Sequence, residues 1–81
     1  MNDRKFDATF DLVVAAILGT EEAPGDDVNL IEAGLDSLDM VRLMVDLEDE
    51  FGGMWPLERL SDHDDLLVVG RLREAARENF T

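Results

Sequence analysis

No cysteine occurs in the 81-residue chain. That excludes disulfides and thiolate metal sites, and it fits a reducing compartment. It also leaves a small domain without the covalent staples on which many of its size depend. No apolar run approaches the length a membrane span needs, and the opening residues MNDRKFDATFD carry charge throughout instead of a signal-peptide pattern. A soluble cytoplasmic protein is the expectation. Strand-like alternation, internal repeats and low-complexity tracts are missing as well. The length leaves room for one core, so residues 1–81 are expected to form a single domain that buries roughly 60% of its surface or a little more. With 46% hydrophobic residues the chain has enough apolar material to fold despite its charge.

Basic residues are scarce. Twenty acidic side chains face seven basic ones, giving a formal net charge of −13. From Phe6 to Glu58 there are fourteen acids and a single basic residue, Arg42, whereas the two ends balance. Such a field repels nucleic acid and anionic membranes and draws basic proteins toward the middle of the chain, although it also serves plain solubility.

Three segments carry helical periodicity. Phe6, Phe10, Val13 and Ile17 recur on one helix face, with Leu12, Val14 and Ala16 widening the stripe; Gly19 is the stop, which predicts a helix from about Asp3 to Leu18. A long connection follows to about Asp36, with a turn at Pro24-Gly25-Asp26-Asp27, and Leu30, Ile31 and Leu35 are expected to pin it to the helices. A second helix is predicted from about Ser37 to Phe51, with Asp36 as N-cap, Asp39 in the dipole-favoured first turn, and Gly52-Gly53 closing it. After Pro56, residues Leu57 to Ser61 suit a single helical turn. A final helix is expected from about Val69 to Asn79, with Val69, Leu72, Ala76 and Phe80 inward and Arg73 and Arg77 toward the favourable end of its dipole. The architecture implied is all-α, a small helical bundle.

The second helix has more apolar surface than one core contact uses. Met40, Leu43, Met44, Leu47 and Phe51 form a sufficient inner face. Leu38, Val41 and Val45 form a second stripe among Asp39, Arg42, Glu48 and Asp49. A helix apolar on two sides is either deeply buried or offers one stripe to a partner, and a bundle this small buries every face only with difficulty. The stripe is read as partner-facing; a wide core face is the alternative.

The run Leu30-Ile31-Glu32-Ala33-Gly34-Leu35-Asp36-Ser37-Leu38-Asp39-Met40 resembles the signature of the acyl and peptidyl carrier proteins. Asp36-Ser37-Leu38 matches their attachment motif, Gly34-Leu35 precedes it as in the family, and Leu43 to Gly52 (LMVDLEDEFG) looks like the family's second helix. The resemblance implies a four-helix bundle of the acyl-carrier type with a long loop between its first two helices. It also implies covalent 4′-phosphopantetheine on Ser37, placed there from coenzyme A by a phosphopantetheinyl transferase, with the arm's thiol holding an acyl or aminoacyl intermediate as a thioester. By the same resemblance Asp36 supports the modification, and Leu38, Val41, Arg42, Val45, Glu48 and Asp49 meet basic docking surfaces on loading, elongating or tailoring enzymes. A monomer is expected. Independently, a serine in a first helical turn puts a phosphodiester near unpaired backbone N–H groups and the positive end of the dipole. An ordinary helix-start serine is the plainer reading.

Three features depart from the family pattern. Arg42 stands where carriers often place an acid. Met54-Trp55-Pro56 replaces an aliphatic-proline pair, and Ser61 to Asp65 (SDHDD) looks inserted. These fit a discrete carrier of a specialised polyketide or nonribosomal peptide pathway better than housekeeping fatty acid synthesis, and Gly-Leu-Asp-Ser-Leu leans toward acyl cargo. Trp55 is read as a core or rim plug; the alternative is that it shapes the mouth where the arm or its cargo rests. His63 among Asp62, Asp64 and Asp65 does not make a zinc site, and no segment has calcium-loop spacing. With no histidine near Ser37 in sequence and no glycine-rich phosphate cradle, the chain is expected to be no enzyme. The competing function is an unmodified acidic helical adaptor for a basic partner.

Overall fold

A computed structural model describes residues 3–56 and 66–80. Among them are three helices and no strand: α1 (Asp3–Leu18), α2 (Ser37–Phe51) and α3 (Val69–Phe80). The expected turn at Leu57 to Ser61 lies outside the described residues, as do His63 and the rest of Ser61 to Asp65. The fourth helix of the expected bundle is therefore not among the elements described.

α1 and α2 stop where glycines follow them. Gly19 donates to Ala16 O and Thr20 to Ala15 O, a Schellman closure of α1. Gly52, in the left-handed region, donates to Glu48 O and ends α2. α1 packs on α2 through Phe6, Phe10, Val13 and Val14, which meet Met40, Leu43, Met44 and Leu47 in one core. α3 adds Val69, Leu72, Ala75 and Ala76. Phe51 and Phe80 lie half-buried against this core. A run of rings joins the three helices: Phe6 stacks on Phe51 at 4.8 Å, Phe51 on Phe80 at 5.4 Å, and Trp55 meets Phe80 edge-on at 5.0 Å.

Two residues of the expected α1 stripe are not in the core. Leu12 and Ala16 are exposed. At 100° per residue the buried side is defined by Phe6, Phe10, Val13 and Val14, and Leu12 falls on the far side of the helix.

The long loop is pinned as expected by Leu30 and Leu35, both buried, but not by Ile31, which is exposed. The cause is local. Asn29 Oδ1 accepts from the N–H groups of Ile31 and Glu32, an Asx-type turn that faces Leu30 inward and Ile31 outward. The loop is further held by the segment entering α3: Leu30 N donates to Leu67 O, Val69 N to Val28 O, and Asn29 and Val68 form an isolated bridge. Gly70 N donates to Asp26 O at 2.8 Å, and a Cβ on Gly70 would lie 3.1 Å from that oxygen, so the close approach favours glycine.

Arg73 does more than face a helix dipole. It lies before the last turn of α3, and its guanidinium reaches Asp7 and Asp11 of α1, at 3.0 and 2.6 Å, and Asp26 of the loop at 3.2 Å, while lying 4.7 Å from the centre of the Phe10 ring. Arg77, in the last turn, also pairs with Asp7 and lies over Phe6. Burial lowers the Arg73 pKa, but hydrogen bonds to Asp11 and Asp7 and the charges of Asp11 and Asp26 outweigh it, and the net shift is upward.

Candidate functional site

The approach to α2 is set by the loop. Gly34 has φ +118°, a conformation that side-chain-bearing residues rarely adopt, and it brings the chain round so that Leu35 N donates to Leu30 O and Leu35 enters the core. With Leu35 anchored, the next two residues stand at the surface as the entry to α2. Asp36 is the N-cap, in extended backbone, and Ser37 is the first helical residue; both are exposed.

The cap is reciprocal. Asp36 Oδ1 accepts from Asp39 N at 2.8 Å, and Asp39 Oδ2 accepts from Asp36 N at 3.3 Å. This is a capping box with aspartate at both ends. Met40 N closes the first intrahelical bond, to Asp36 O. Of the four backbone donors that a helix start leaves without an intrahelical acceptor, two are thus satisfied by carboxylates. The N–H groups of Ser37 and Leu38 remain at the turn, together with the positive end of the helix. An exposed hydroxyl at this point suits a phosphodiester: there is open surface for a long substituent and two backbone donors beside it. The box carboxylates flank the hydroxyl and add negative charge there, which disfavours a phosphate. Their observed structural part is to hold the helix start. Asp39's reciprocal role escaped the sequence reading, which assigned it to the dipole alone; the Asp-x-x-Asp spacing is the signal that carried it.

The second apolar stripe of α2 is at the surface. Leu38 is 68% exposed, Val41 42% and Val45 44%. Ser37, Val41 and Val45 follow at intervals of four residues and so share one ridge, with Leu38 beside it. Arg42 and Asp49 are exposed nearby. Glu48 is different. It is half-buried, and its Oε2 accepts from Trp55 N at 2.8 Å, so it holds the chain leaving α2. Trp55 itself is in the core: its Nε1 donates to Met44 O at 3.1 Å and its ring packs on Phe80. It is a core plug, as expected from the sequence. No group of three or more His, Asp or Glu placed to hold a metal ion occurs among the described residues. No described helix is long and apolar enough to cross a membrane.

Comparison with known families matches the phosphopantetheine attachment site over residues 11–72. Comparison with curated proteins and with solved structures gives no match. The matched span runs from the middle of α1, through the loop and the whole of α2, to Leu72 in α3, and the exposed serine at the head of α2 lies within it. The chain therefore belongs to the phosphopantetheine attachment-site family, that of the acyl and peptidyl carrier proteins, in which 4′-phosphopantetheine is bound covalently to a serine.

Proposed function

We propose that this protein is a carrier whose arm is attached at Ser37, tethering acyl or aminoacyl intermediates as thioesters and presenting them to partner enzymes. The observation that carries the reading is the position of Ser37: exposed, first in α2, directly after the capping Asp36, and inside the matched span. The chain has one other serine, Ser61, also within that span. Ser37 is favoured because it opens a capped helix whose remaining backbone donors suit a phosphodiester. When bound, the group supplies a thiol on a long flexible tether. The chain's own contribution is to fix the point of attachment and to offer a surface by which enzymes hold it.

That surface is the ridge of Leu38, Val41 and Val45 next to Ser37, with Arg42, Glu48 and Asp49 at its margin. Its apolar residues are exposed without a covering element from the described chain, and the acids around it suit enzymes with basic grooves. Arg42 interrupts the acidic rim and is placed to discriminate among partners. Charge of −13 favours a monomer. A specialised polyketide or nonribosomal peptide pathway remains the pathway reading, supported by Met54-Trp55-Pro56 and the Ser61 to Asp65 stretch, as does a cytoplasmic setting, supported by the lack of cysteine.

The test is the intact mass of the purified protein before and after incubation with coenzyme A and a broad-specificity phosphopantetheinyl transferase. The expected result is a gain of one phosphopantetheine group in the parent and in Ser61→Ala, and none in Ser37→Ala. A folded parent that neither carries nor gains the group would refute the carrier reading and return the protein to an acidic adaptor.

A further inference from the structure

The outer side of α1 carries a feature that attachment at α2 does not use. Leu12 is 71% exposed, more than any residue of the α2 ridge. A single exposed leucine is ordinary on a protein surface. This one stands between two grooves. The first, about 330 Å³, runs between α1 and α2; Val13 and Ala16 lie on its α1 side and Asp46, Asp49 and Glu50 on its α2 side. The second, about 510 Å³, lies toward the loop and is lined by Ala8, Ala15, Glu21, Glu22 and Asp11, the last already paired with Arg73. Neither groove has a lysine or arginine among its described lining residues. An apolar knob thus rises between two hollows of the same sign, and small side chains beside it allow close approach.

We propose that this face is a second docking surface, which receives a cationic amphipathic helix from a partner protein. The partner's apolar side chains pack on Leu12 and Ala16, and its lysines or arginines lie in the two acidic grooves. The hollow between two packed helices suits a helix laid along it, and the carboxylates on both sides select for positive charge. A second copy of this chain is the wrong occupant, because it brings the same acids to the contact at a net charge of −13.

The face meets the margin of the α2 ridge only at Asp49 and otherwise lies apart from it. Asp46 and Glu50 lie roughly 120° around α2 from the centre of Leu38, Val41 and Val45, and Asp46 is about 13 Å further along the axis than Ser37. A partner held on α1 reaches Asp49 at the ridge margin but leaves Ser37, Leu38, Val41 and Val45 uncovered. The inference stands whether or not Ser37 is modified.

The experiment titrates the full chain, ¹⁵N-labelled and carrying Ser37→Ala, with a synthetic amphipathic helix of leucine and lysine, and follows the amide signals. The same peptide with glutamine in place of lysine is the control for charge. The expected perturbations gather at residues 8–16 and 46–50. Leu12→Gln, and separately Asp46→Asn with Glu50→Gln, each weaken binding about tenfold, Leu38→Ser leaves it unchanged, and added salt weakens it. Four results would each overturn the proposal: no binding, perturbations confined to residues 37–45, equal affinity for the glutamine peptide, or undiminished affinity in Leu12→Gln. Concentration-dependent shifts at residues 8–16 without peptide would also overturn it, by making the occupant a second copy.

Discussion

Asp36 caps α2 directly before Ser37, and the proposed attachment there gives it a second role that can be separated from the first. Its carboxylate accepts from Asp39 N and so caps α2, while its charge lies next to the hydroxyl to be modified. Asparagine caps about as well as aspartate, whereas alanine does not cap. Asp36→Ala is expected to lower unfolding stability by about 1 kcal/mol. Asp36→Asn should stay near the parent in urea unfolding and yet gain phosphopantetheine more slowly. Equal modification rates in Asp36→Asn and the parent would leave capping as its only role. The N-cap was legible in the sequence because it depends on one residue type before a periodic run. The return bond from Asp39 is signalled only by its spacing from Asp36, and the bond from Trp55 Nε1 to Met44 O is not signalled at all, because it depends on how a side chain is directed once the backbone is in place. Trp55 was readable as a plug from its size and apolarity, but not what it plugs.

α2 shows what periodicity can and cannot deliver. Both of its apolar stripes were visible as spacing, and the structure buries one and exposes the other. The same rule misplaced Leu12 and Ala16 of α1, because the width of a buried stripe is set by what packs beside the helix, and only α2, the loop and α3 determine that. Exposure of the α2 ridge separates function from stability. Replacing Leu38 and Val41 together by serine is expected to change stability by no more than about 1 kcal/mol, as surface substitutions generally do. The rate at which the transferase loads the protein should fall about tenfold or more if the ridge is the contact. Urea unfolding and the rate of mass gain read the two effects separately. Loading at the parental rate would remove the ridge from the transferase contact.

At the scale of the whole molecule, Arg73 ties down part of the acidic excess. Arg73 gathers carboxylates from α1 and the loop onto α3, joining residues more than forty positions apart in the chain. In the sequence Arg73 shows only its place relative to its own helix dipole, since nothing local marks its distant partners; the pairing of the loop with residues 67–70 is hidden for the same reason. The Asp partners are partly exposed, so the ion pairs are weakened by solvent, and stacking on Phe10 adds to them. Arg73→Met is expected to cost about 1–2 kcal/mol in thermal or urea unfolding. Because the Arg73 pKa is raised on folding, its contribution is fully present below the unfolded value and is lost only as pH rises through the folded one, in strong alkali. As far as Arg73's own titration is concerned, the parent and Arg73→Met should therefore differ by a constant margin across the neutral range. The central claim, that this assembly exists to present Ser37, is tested most directly by peptide mapping after incubation with coenzyme A and transferase. Trypsin separates the two serines, placing Ser37 in residues 6–42 and Ser61 in residues 60–71. The account predicts the added phosphopantetheine on the 6–42 peptide alone. Its appearance on 60–71, or on neither peptide, would contradict it.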